Sequence, residues 1–315
     1  MGAGAIDAAP AAAPPKPDPS PHLAARPRHH VELALFLAVR GLVAALPARA
    51  VRPLGAGLGR LLWTAGVRRR TVLDNLGLAF PDLPATERRR LGARCYRHFG
   101  AMACDTIAFS RIDPVEFCRR LTIRGWHHLD AAEAQGRGVV VFGGHTGNWE
   151  IAARTLGLYR TPYHIVVRPF NNTLLYDHMR RDRERYGIRE VPKNGAARQL
   201  FRVLRDGGRV GLAMDQRVRA SQGGIVLPFF GHPALVTPLP ASLSLRTGAA
   251  VVPIFAWPQP GGRYLVEVHA AVPPPPGLEG DEAVAELTTR LLGILEREIR
   301  GRPEQWLWPH RRWRI

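Results

Sequence analysis

Short apolar runs alternate with segments of helical periodicity along most of the chain. The short runs are β-branched or aromatic, which predicts strands at 139–142, 163–167, 210–214, 251–256 and 264–269. Helical patterns lie between or beside them, near 85–111, 148–158, 172–186, 195–206 and 281–300. Such alternation is typical of a parallel sheet covered by helices. The predicted fold class is therefore α/β, with a mixed, largely parallel sheet flanked by helices.

The first 68 residues follow a different pattern. Residues 1–30 carry seven prolines among alanines and lack the apolar core of a signal peptide, which predicts a disordered tail. Two apolar stretches with arginine-rich flanks follow at 31–68, and the first is too short and interrupted for a spanning helix, which needs about 20 apolar residues. We predict a membrane-associated helical segment at 31–68 and one domain at 69–315. The alternative for 31–68 is an ordinary hairpin of two core helices.

The charge balance narrows the possible partners. The chain has 44 Lys plus Arg against 26 Asp plus Glu, a net charge of +18, and nearly all the cations are arginines. Arginine suits bidentate binding of phosphate or carboxylate, so anionic lipid, an acidic carrier protein and nucleic acid are all candidates. The chain lacks the usual nucleic-acid-binding motifs, which disfavours the last. Its three cysteines have no C-x-x-C spacing, which argues against a zinc site or disulfide framework and favours a reducing compartment.

The most specific chemical pattern is the heptad GHTGNWE at 144–150, directly after the predicted strand 139–142. On one helix His145 and Glu150 would lie about 140° apart, at roughly 100° per residue. We therefore place His145 in the turn before the helix, with Glu150 reaching back to it. A carboxylate that holds one imidazole nitrogen leaves the other free as a general base. The alternative is a helix-capping histidine and a solvated glutamate.

Two further polar residues follow predicted strands. Arg168 comes after 163–167 and Asp215 after 210–214. Because ligands gather at the carboxyl ends of parallel strands, His145, Arg168 and Asp215 are expected to share one cleft. Asp215 could equally cap a helix. Arginines 180, 181, 183 and 185 form either a phosphate-binding face or a solvated face paired with nearby acids.

The heptad resembles the H-x4-D/E box of the lysophospholipid acyltransferase superfamily, in the form used by the lipid A late acyltransferases (lauroyl and myristoyl transferases). The likeness runs in order from about residue 32 to the end. Its other matching elements are Arg70 with NLGLAFP at 75–81, VRP at 167–169 with Asn172, Asp215-Gln216, PFFG at 228–231 with Thr237, and PEQWLW at 303–308 with residues 310–312.

The resemblance implies a glycerolipid acyltransferase-like fold and a membrane-associated O-acyltransferase with a His145–Glu150 dyad. It implies an acyl-carrier-protein thioester as donor, a Kdo-linked lipid A precursor as acceptor, and no cofactor or metal beyond the acyl co-substrate. The expected partners are the acyl carrier protein, a glycolipid and the cytoplasmic face of the inner membrane, without nucleic acid. The expected substrate-binding residues are Arg168, Arg183, Asp215 and Asn148, with Arg181 or Arg185 as alternatives to Arg183.

Direct transfer is favoured over an acyl-enzyme, since the chain has no G-x-S-x-G nucleophile elbow. One alternative is an acyl-CoA-dependent acyltransferase acting on phosphatidylinositol mannoside or on another glycolipid or lysophospholipid. An alternative of another class is a non-catalytic, basic membrane-binding protein.

Three smaller features carry structural expectations. Asp82 and Thr86 are candidate caps for the helix near 85–111. The motif PFFG at 228–231 is predicted as a core turn rather than the mouth of an acyl-chain pocket. Trp306, Trp308 and Trp313, interleaved with arginines, resemble an aromatic belt at a membrane interface.

Overall fold

The computed structural model describes residues 26–169, 171–193 and 195–313. Most of the predicted tail, residues 1–25, lies outside these ranges. The first helix begins at Pro27, so the last residues assigned to the tail are helical instead.

The helices are α1 (Pro27–Ala45), α2 (Ala48–Thr64), α3 (Arg69–Ala79), α4 (Ala85–Phe109), α5 (Pro114–Arg119), α6 (Trp126–Glu133), α7 (Trp149–Tyr159), α8 (Thr173–Glu184), α9 (Ala196–Arg205), α10 (Leu239–Thr247) and α11 (Gly280–Gly301). The strands are β1 (Leu121–Arg124), β2 (Val139–Gly143), β3 (Tyr163–Val167), β4 (Ile188–Pro192), β5 (Arg209–Ala213), β6 (Ile225–Phe229), β7 (His232–Val236), β8 (Ala250–Gln259) and β9 (Arg263–Val268). All five predicted strands and all five helices predicted after residue 68 are confirmed, with small shifts at their ends.

Seven strands form one sheet in the order β1-β9-β8-β2-β5-β3-β4. Only β8 and β9 pair antiparallel; the other neighbouring strands are parallel. The remaining two strands, β6 and β7, form a separate antiparallel hairpin. The predicted fold class, a mixed and largely parallel sheet flanked by helices, is confirmed.

The central strand β2 explains why the sheet is buried on both faces. Its side chains alternate between the faces, as the period of a strand requires. Val140 and Phe142 belong to a core that includes α3, α4, α9 and α11, whereas Val139 and Val141 belong to a second core with α6 and α7. Such a strand reads as a continuous apolar run, because both of its faces are covered.

The predicted segment 31–68 is helical, and its second helix belongs to the folded body. Gly55 on α2 lies so close to Gly100 on α4 that a side chain at either position would overlap the other's backbone. A partly buried ion pair joins Arg52 on α2 to Asp105 on α4, and the Tyr264 hydroxyl donates to Asp105 at 2.6 Å. In the described part of the chain, none of the helices combines the length and apolar character needed to cross a bilayer.

Two structural expectations are wrong. Helix α4 has Pro84 at its N-cap and no side-chain cap, because neither Asp82 nor Thr86 occupies that position. Trp306 and Trp308 are 1% and 0% exposed, so these two residues do not form an interfacial belt. The core turn at PFFG is confirmed: Phe229 and Phe230, at the tip of the β6–β7 hairpin, are both buried.

Candidate active site

His145 and Asp215 meet at the carboxyl ends of two neighbouring parallel strands. In the pairing of β2 with β5, Gly143 lies opposite Ala213. Each site residue therefore lies two positions beyond a paired residue. The ring Nδ1 of His145 lies 2.8 Å from Asp215 Oδ1, and the backbone N–H of His145 donates to Asp215 Oδ2 at 2.7 Å. The predicted convergence of these two residues is confirmed.

The electrostatics of this pair favour the charged forms. Burial alone would lower the pKa of His145, but the charge and hydrogen bond of Asp215, with a further effect of Glu150, outweigh it and raise the pKa above the ordinary 6.5. Burial alone would raise the pKa of Asp215, but His145 and the hydrogen bonds donated to its carboxylate lower it to about 2. Asp215 therefore stays ionised beside a histidine that titrates at a higher pH than usual.

The other ring nitrogen, Nε2, points away from Asp215. Gln216 Nε2 lies 3.3 Å from it, and the side chain of His145 is 21% exposed. With Asp215 accepting the proton of Nδ1, Nε2 carries a lone pair in the neutral ring. The arrangement presents an oriented base to the outside of the sheet edge.

Glu150 occupies a different position from the one expected. It lies on α7, as predicted, but its carboxylate binds the guanidinium of Arg183 through Oε1 at 2.5 Å and Oε2 at 3.2 Å. Arg183 also donates to Glu190 at 2.6 Å. The expectation that Glu150 holds a ring nitrogen of His145 is thus corrected: Asp215 holds it, and Glu150 acts on the ring through its charge.

The remaining expected substrate-binding residues are used differently. Arg183 is buried, and Glu150 and Glu190 engage its donor groups. Asn148 is fully buried at the N-cap of α7, where its oxygen accepts from Ile151 N and its amide donates to the Tyr264 hydroxyl at 3.1 Å. The side chains of Arg183 and Asn148 therefore bind other residues of the protein and stabilise the structure beside the site.

Arg168 lies at the carboxyl end of β3, as predicted, but no hydrogen bond or ion pair in the described ranges joins it to His145 or Asp215. It follows β3 directly and is exposed, and no other residue in the described ranges makes an ion pair or hydrogen bond with its guanidinium. By contrast, Arg180 on α8 pairs with Asp177 and Glu184, and Arg185, directly after α8, lies 3.9 Å from Asp182. Arg180 and Arg185 therefore agree with the second of the two predictions for arginines 180, 181, 183 and 185, a solvated face paired with nearby acids.

A pocket of about 420 Å³ opens beside His145. Helices α1, α4, α7 and α8 contribute its walls. The pairs Glu150–Arg183 and Arg154–Asp182 border one part of it, so their charges are mutually compensated. The rest is largely apolar and is lined by Phe36, Met102, Ala103, Ile107, Trp149 and Met179.

Sequence reasoning missed the contribution of the 303–308 segment to the site. Trp306 Nε1 donates to Asp215 Oδ2 at 2.8 Å, and Leu307 N donates to the carbonyl of His145 at 3.1 Å. His98 lies behind the turn and donates to the carbonyl of Gly147 at 3.0 Å, and burial lowers its pKa to about 4. The resemblance identified residues 303–308 as a matching motif, but it did not predict that they pack against His145 and Asp215.

Several known proteins that are similar in sequence to this chain are named as acyltransferases. The phosphatidylinositol mannoside acyltransferase of Mycobacterium tuberculosis is 32% identical over 58% of this chain, and the match spans 57% of that protein's length. The lipid A biosynthesis lauroyltransferase of Escherichia coli is 26% identical over 89% of this chain and 90% of its own. The lipid A biosynthesis palmitoleoyltransferase of the same organism is 30% identical over 83% and 84%.

The likeness to a solved structure, the 1-acyl-sn-glycerophosphate acyltransferase from Thermotoga maritima, is weak, with a TM-score of 0.36 and 15% identity over 80% of this chain and 98% of that one. A family model described as bacterial lipid A biosynthesis acyltransferase matches residues 22–315. Since this match covers nearly the whole chain, the protein belongs to the bacterial lipid A biosynthesis acyltransferase family.

Proposed function

We propose that this protein transfers a fatty acyl chain from an acyl-carrier-protein thioester to a hydroxyl of a lipid A precursor, with His145 as the general base. The observation that carries the proposal is the 2.8 Å contact between His145 Nδ1 and Asp215, made at the edge of a largely apolar pocket of about 420 Å³. The family match supports lipid A as the acceptor class. The likeness to the mycobacterial enzyme favours phosphatidylinositol mannoside as a second candidate acceptor.

The chemistry follows from the two ring nitrogens. Asp215 keeps the proton on Nδ1, so Nε2 accepts the proton of the acceptor hydroxyl while its oxygen attacks the thioester carbonyl. Asp215 also stabilises the imidazolium that forms. When the tetrahedral intermediate collapses, the carbon–sulfur bond breaks and the proton passes to the leaving thiolate. A new ester and a free carrier thiol result.

The acyl chain occupies the apolar part of the pocket in this proposal. Met102, Ile107 and Met179 come from two helices and offer flexible, unbranched or aliphatic surface. Their position next to His145 brings the thioester carbonyl, at the end of that chain, within reach of the base.

Arg168 is proposed to bind a phosphate group of the acceptor. Its exposed guanidinium, without a partner among the described residues, suits bidentate phosphate binding. We expect Arg168→Glu to raise KM for the phosphorylated acceptor, with a much smaller effect on a dephosphorylated one. Arg205→Glu, the same charge change at an exposed arginine of α9, is the matched control. Equal loss toward both acceptors would mean that Arg168 does not bind that phosphate.

Docking on the cytoplasmic face of the inner membrane completes the proposal. Helices α1 and α2 expose large apolar side chains, including Leu35 at 66% and Leu61 at 63%, near exposed arginines such as Arg60. Leu35→Glu combined with Leu61→Glu should weaken binding to anionic vesicles. Val226→Glu, at an apolar position on β6 that is 53% exposed, should leave it unchanged. Full binding by the double variant would refute this docking surface.

The central experiment compares the parent enzyme with His145→Ala. Ester formation is followed by mass spectrometry with acyl carrier protein and coenzyme A thioesters, each offered with a lipid A precursor and with a phosphatidylinositol mannoside. Turnover should fall by about two to four orders of magnitude, as expected for a lost general base. A folded His145→Ala enzyme with near-parent turnover would overturn the mechanism. Preference for coenzyme A and the mannoside would establish the second candidate.

A further inference from the structure

We propose that Trp306 is a positioning residue for acyl transfer, which sets both the orientation of Asp215 and the basicity of His145. The inference rests on the proposed role of His145 as the base. It concerns a residue that does not contact the substrate and acts only through the carboxylate behind the ring.

The carboxylate of Asp215 accepts from three donors. Oδ1 accepts from the ring Nδ1 of His145, whereas Oδ2 accepts from the backbone N–H of His145 at 2.7 Å and from the indole N–H of Trp306 at 2.8 Å. Of these, only the Trp306 donor comes from outside the 145 turn. It therefore fixes the carboxylate plane independently of the residue that the carboxylate orients.

The backbone beside Trp306 holds the same turn. Thr146 and Trp306 form an antiparallel bridge, Gly147 N donates to Gln305 O at 3.0 Å, and Leu307 N donates to His145 O at 3.1 Å. Residues 305–307 thus pair with 145–147 as a short strand would. One three-residue segment controls the turn through its backbone and the carboxylate through its side chain.

The position of the Trp306 ring is fixed by its packing, so its N–H holds the Asp215 carboxylate in one orientation. It is 1% exposed, and its ring packs against Trp308 at 4.5 Å and Phe229 at 5.7 Å between centroids. Trp308 provides a matched control. It is equally buried in the same segment, but its indole N–H donates to the carbonyl of Pro303 at 2.6 Å rather than to Asp215.

Removing the indole N–H of Trp306 should raise the pKa of His145. Oδ2 then keeps one donor instead of two, so more of the carboxylate charge acts on the ring, and the imidazolium of His145 is favoured. The other charged or titratable groups that influence the pair are Glu150 on α7 and, beyond residue 308, His310 and Arg312. None of these groups changes in the variants below.

The experiment compares Trp306→Phe with Trp308→Phe in the full-length enzyme. Both should lose thermal stability, because both shrink a buried ring. In Trp306→Phe alone, the acid limb of kcat/KM against pH should move up by about half a pH unit or more. Its kcat should also fall about tenfold, as expected when a charge-assisted hydrogen bond is lost. The His145 imidazole, assigned by its absence in His145→Ala, should show the same shift in an NMR titration without substrate.

A second replacement guards against misfolding. Substituting Trp306 by 3-benzothienylalanine keeps the two fused rings and replaces the N–H with sulfur, so it should reproduce the pH shift with little loss of stability. An unchanged His145 titration in both Trp306 replacements, or the same shift in Trp308→Phe, would overturn the inference. Failure of the proposed function would show separately, as an active His145→Ala enzyme.

Discussion

Replacing Asp215 by Asn tests the geometry of the His145–Asp215 pair, because an amide has one acceptor oxygen where the carboxylate has two. Two donors converge on Oδ2, and only the His145 ring donates to Oδ1. An amide has one oxygen, which must take the Oδ2 position to satisfy both donors. Its NH₂ group then faces Nδ1 of His145 and forces that nitrogen to accept. The ring proton moves to Nε2, which is the nitrogen that should take the proton of the acceptor hydroxyl.

The size of the effect follows from the cost of the opposite orientation. Turning the amide over would leave the His145 backbone N–H and the Trp306 indole N–H unpaired, at about 1–3 kcal/mol each. Even at the lower limit for the two donors together, about 2 kcal/mol, only about one molecule in 30 would hold the productive tautomer. The lost negative charge weakens the base further. We therefore expect kcat to fall by about 10³ to 10⁴, as when the orienting aspartate of a catalytic triad is neutralised.

The assay combines kinetics with ¹⁵N NMR of the imidazole, which distinguishes the tautomers directly. Asp215→Asn should move the proton to Nε2 and lower the pKa of His145. Glu150→Gln is the comparator, since it disturbs the ion pair with Arg183 but leaves the His145–Asp215 contact intact. If Glu150→Gln switched the tautomer and Asp215→Asn did not, Glu150 would be the orienting carboxylate and the geometry described above would be refuted.

The remaining predictions concern pH, chain length and packing. Because the pKa of His145 is raised by Asp215, kcat/KM should rise with pH through a pKa above 6.5. The stability that His145 gains from Asp215 should be full below the pKa of His145 in the unfolded chain and should be lost as pH rises through its pKa in the folded protein. Flat profiles of activity and of the free energy of unfolding from pH 5 to 9 would contradict this prediction. Ala103→Phe fills the pocket, so kcat/KM for the longest acyl donors should fall at least about tenfold relative to short ones; an unchanged chain-length profile would place the chain elsewhere. Gly100→Ala should lower the free energy of unfolding by about 1–3 kcal/mol, whereas Gly57→Ala, with open space around it, should not lower it; equal effects in a denaturant titration would contradict the tight α2–α4 contact.

The sheet shows which strands a sequence reveals. The five predicted strands include β2, β5 and β8 at the centre, where both faces are covered and the pattern is a plain apolar run. The two strands that escaped in this sheet, β1 (LTIR) and β4 (IREVP), lie at its edges. Edge strands carry charged residues and short apolar patterns, so they resemble loops.

The site shows a similar division. Its histidine and both carboxylates were predicted, because strand ends and the heptad mark them locally. The choice of partner was wrong, because Glu150 is close to His145 in sequence whereas Asp215 is 70 residues away. That contact depends on β2 and β5 being neighbours, which periodicity does not reveal. Trp306 was missed for a related reason: a buried, hydrogen-bonded tryptophan and an interfacial one occur in the same kind of aromatic and basic sequence.

The three donors around Asp215 also restrict the path that the proton can take in the proposed mechanism. With a pKa of about 2 and its oxygens engaged by three N–H groups, the carboxylate does not take up a proton during turnover. Nδ1 therefore keeps its hydrogen throughout, so Nε2 must both accept the proton from the acceptor hydroxyl and donate it to the leaving sulfur. The acceptor oxygen and the departing sulfur must accordingly approach the same atom, from the same side of the ring, within one catalytic event. In the proposed mechanism, a thioester donor whose sulfur left before the acceptor hydroxyl arrived would find no proton on Nε2.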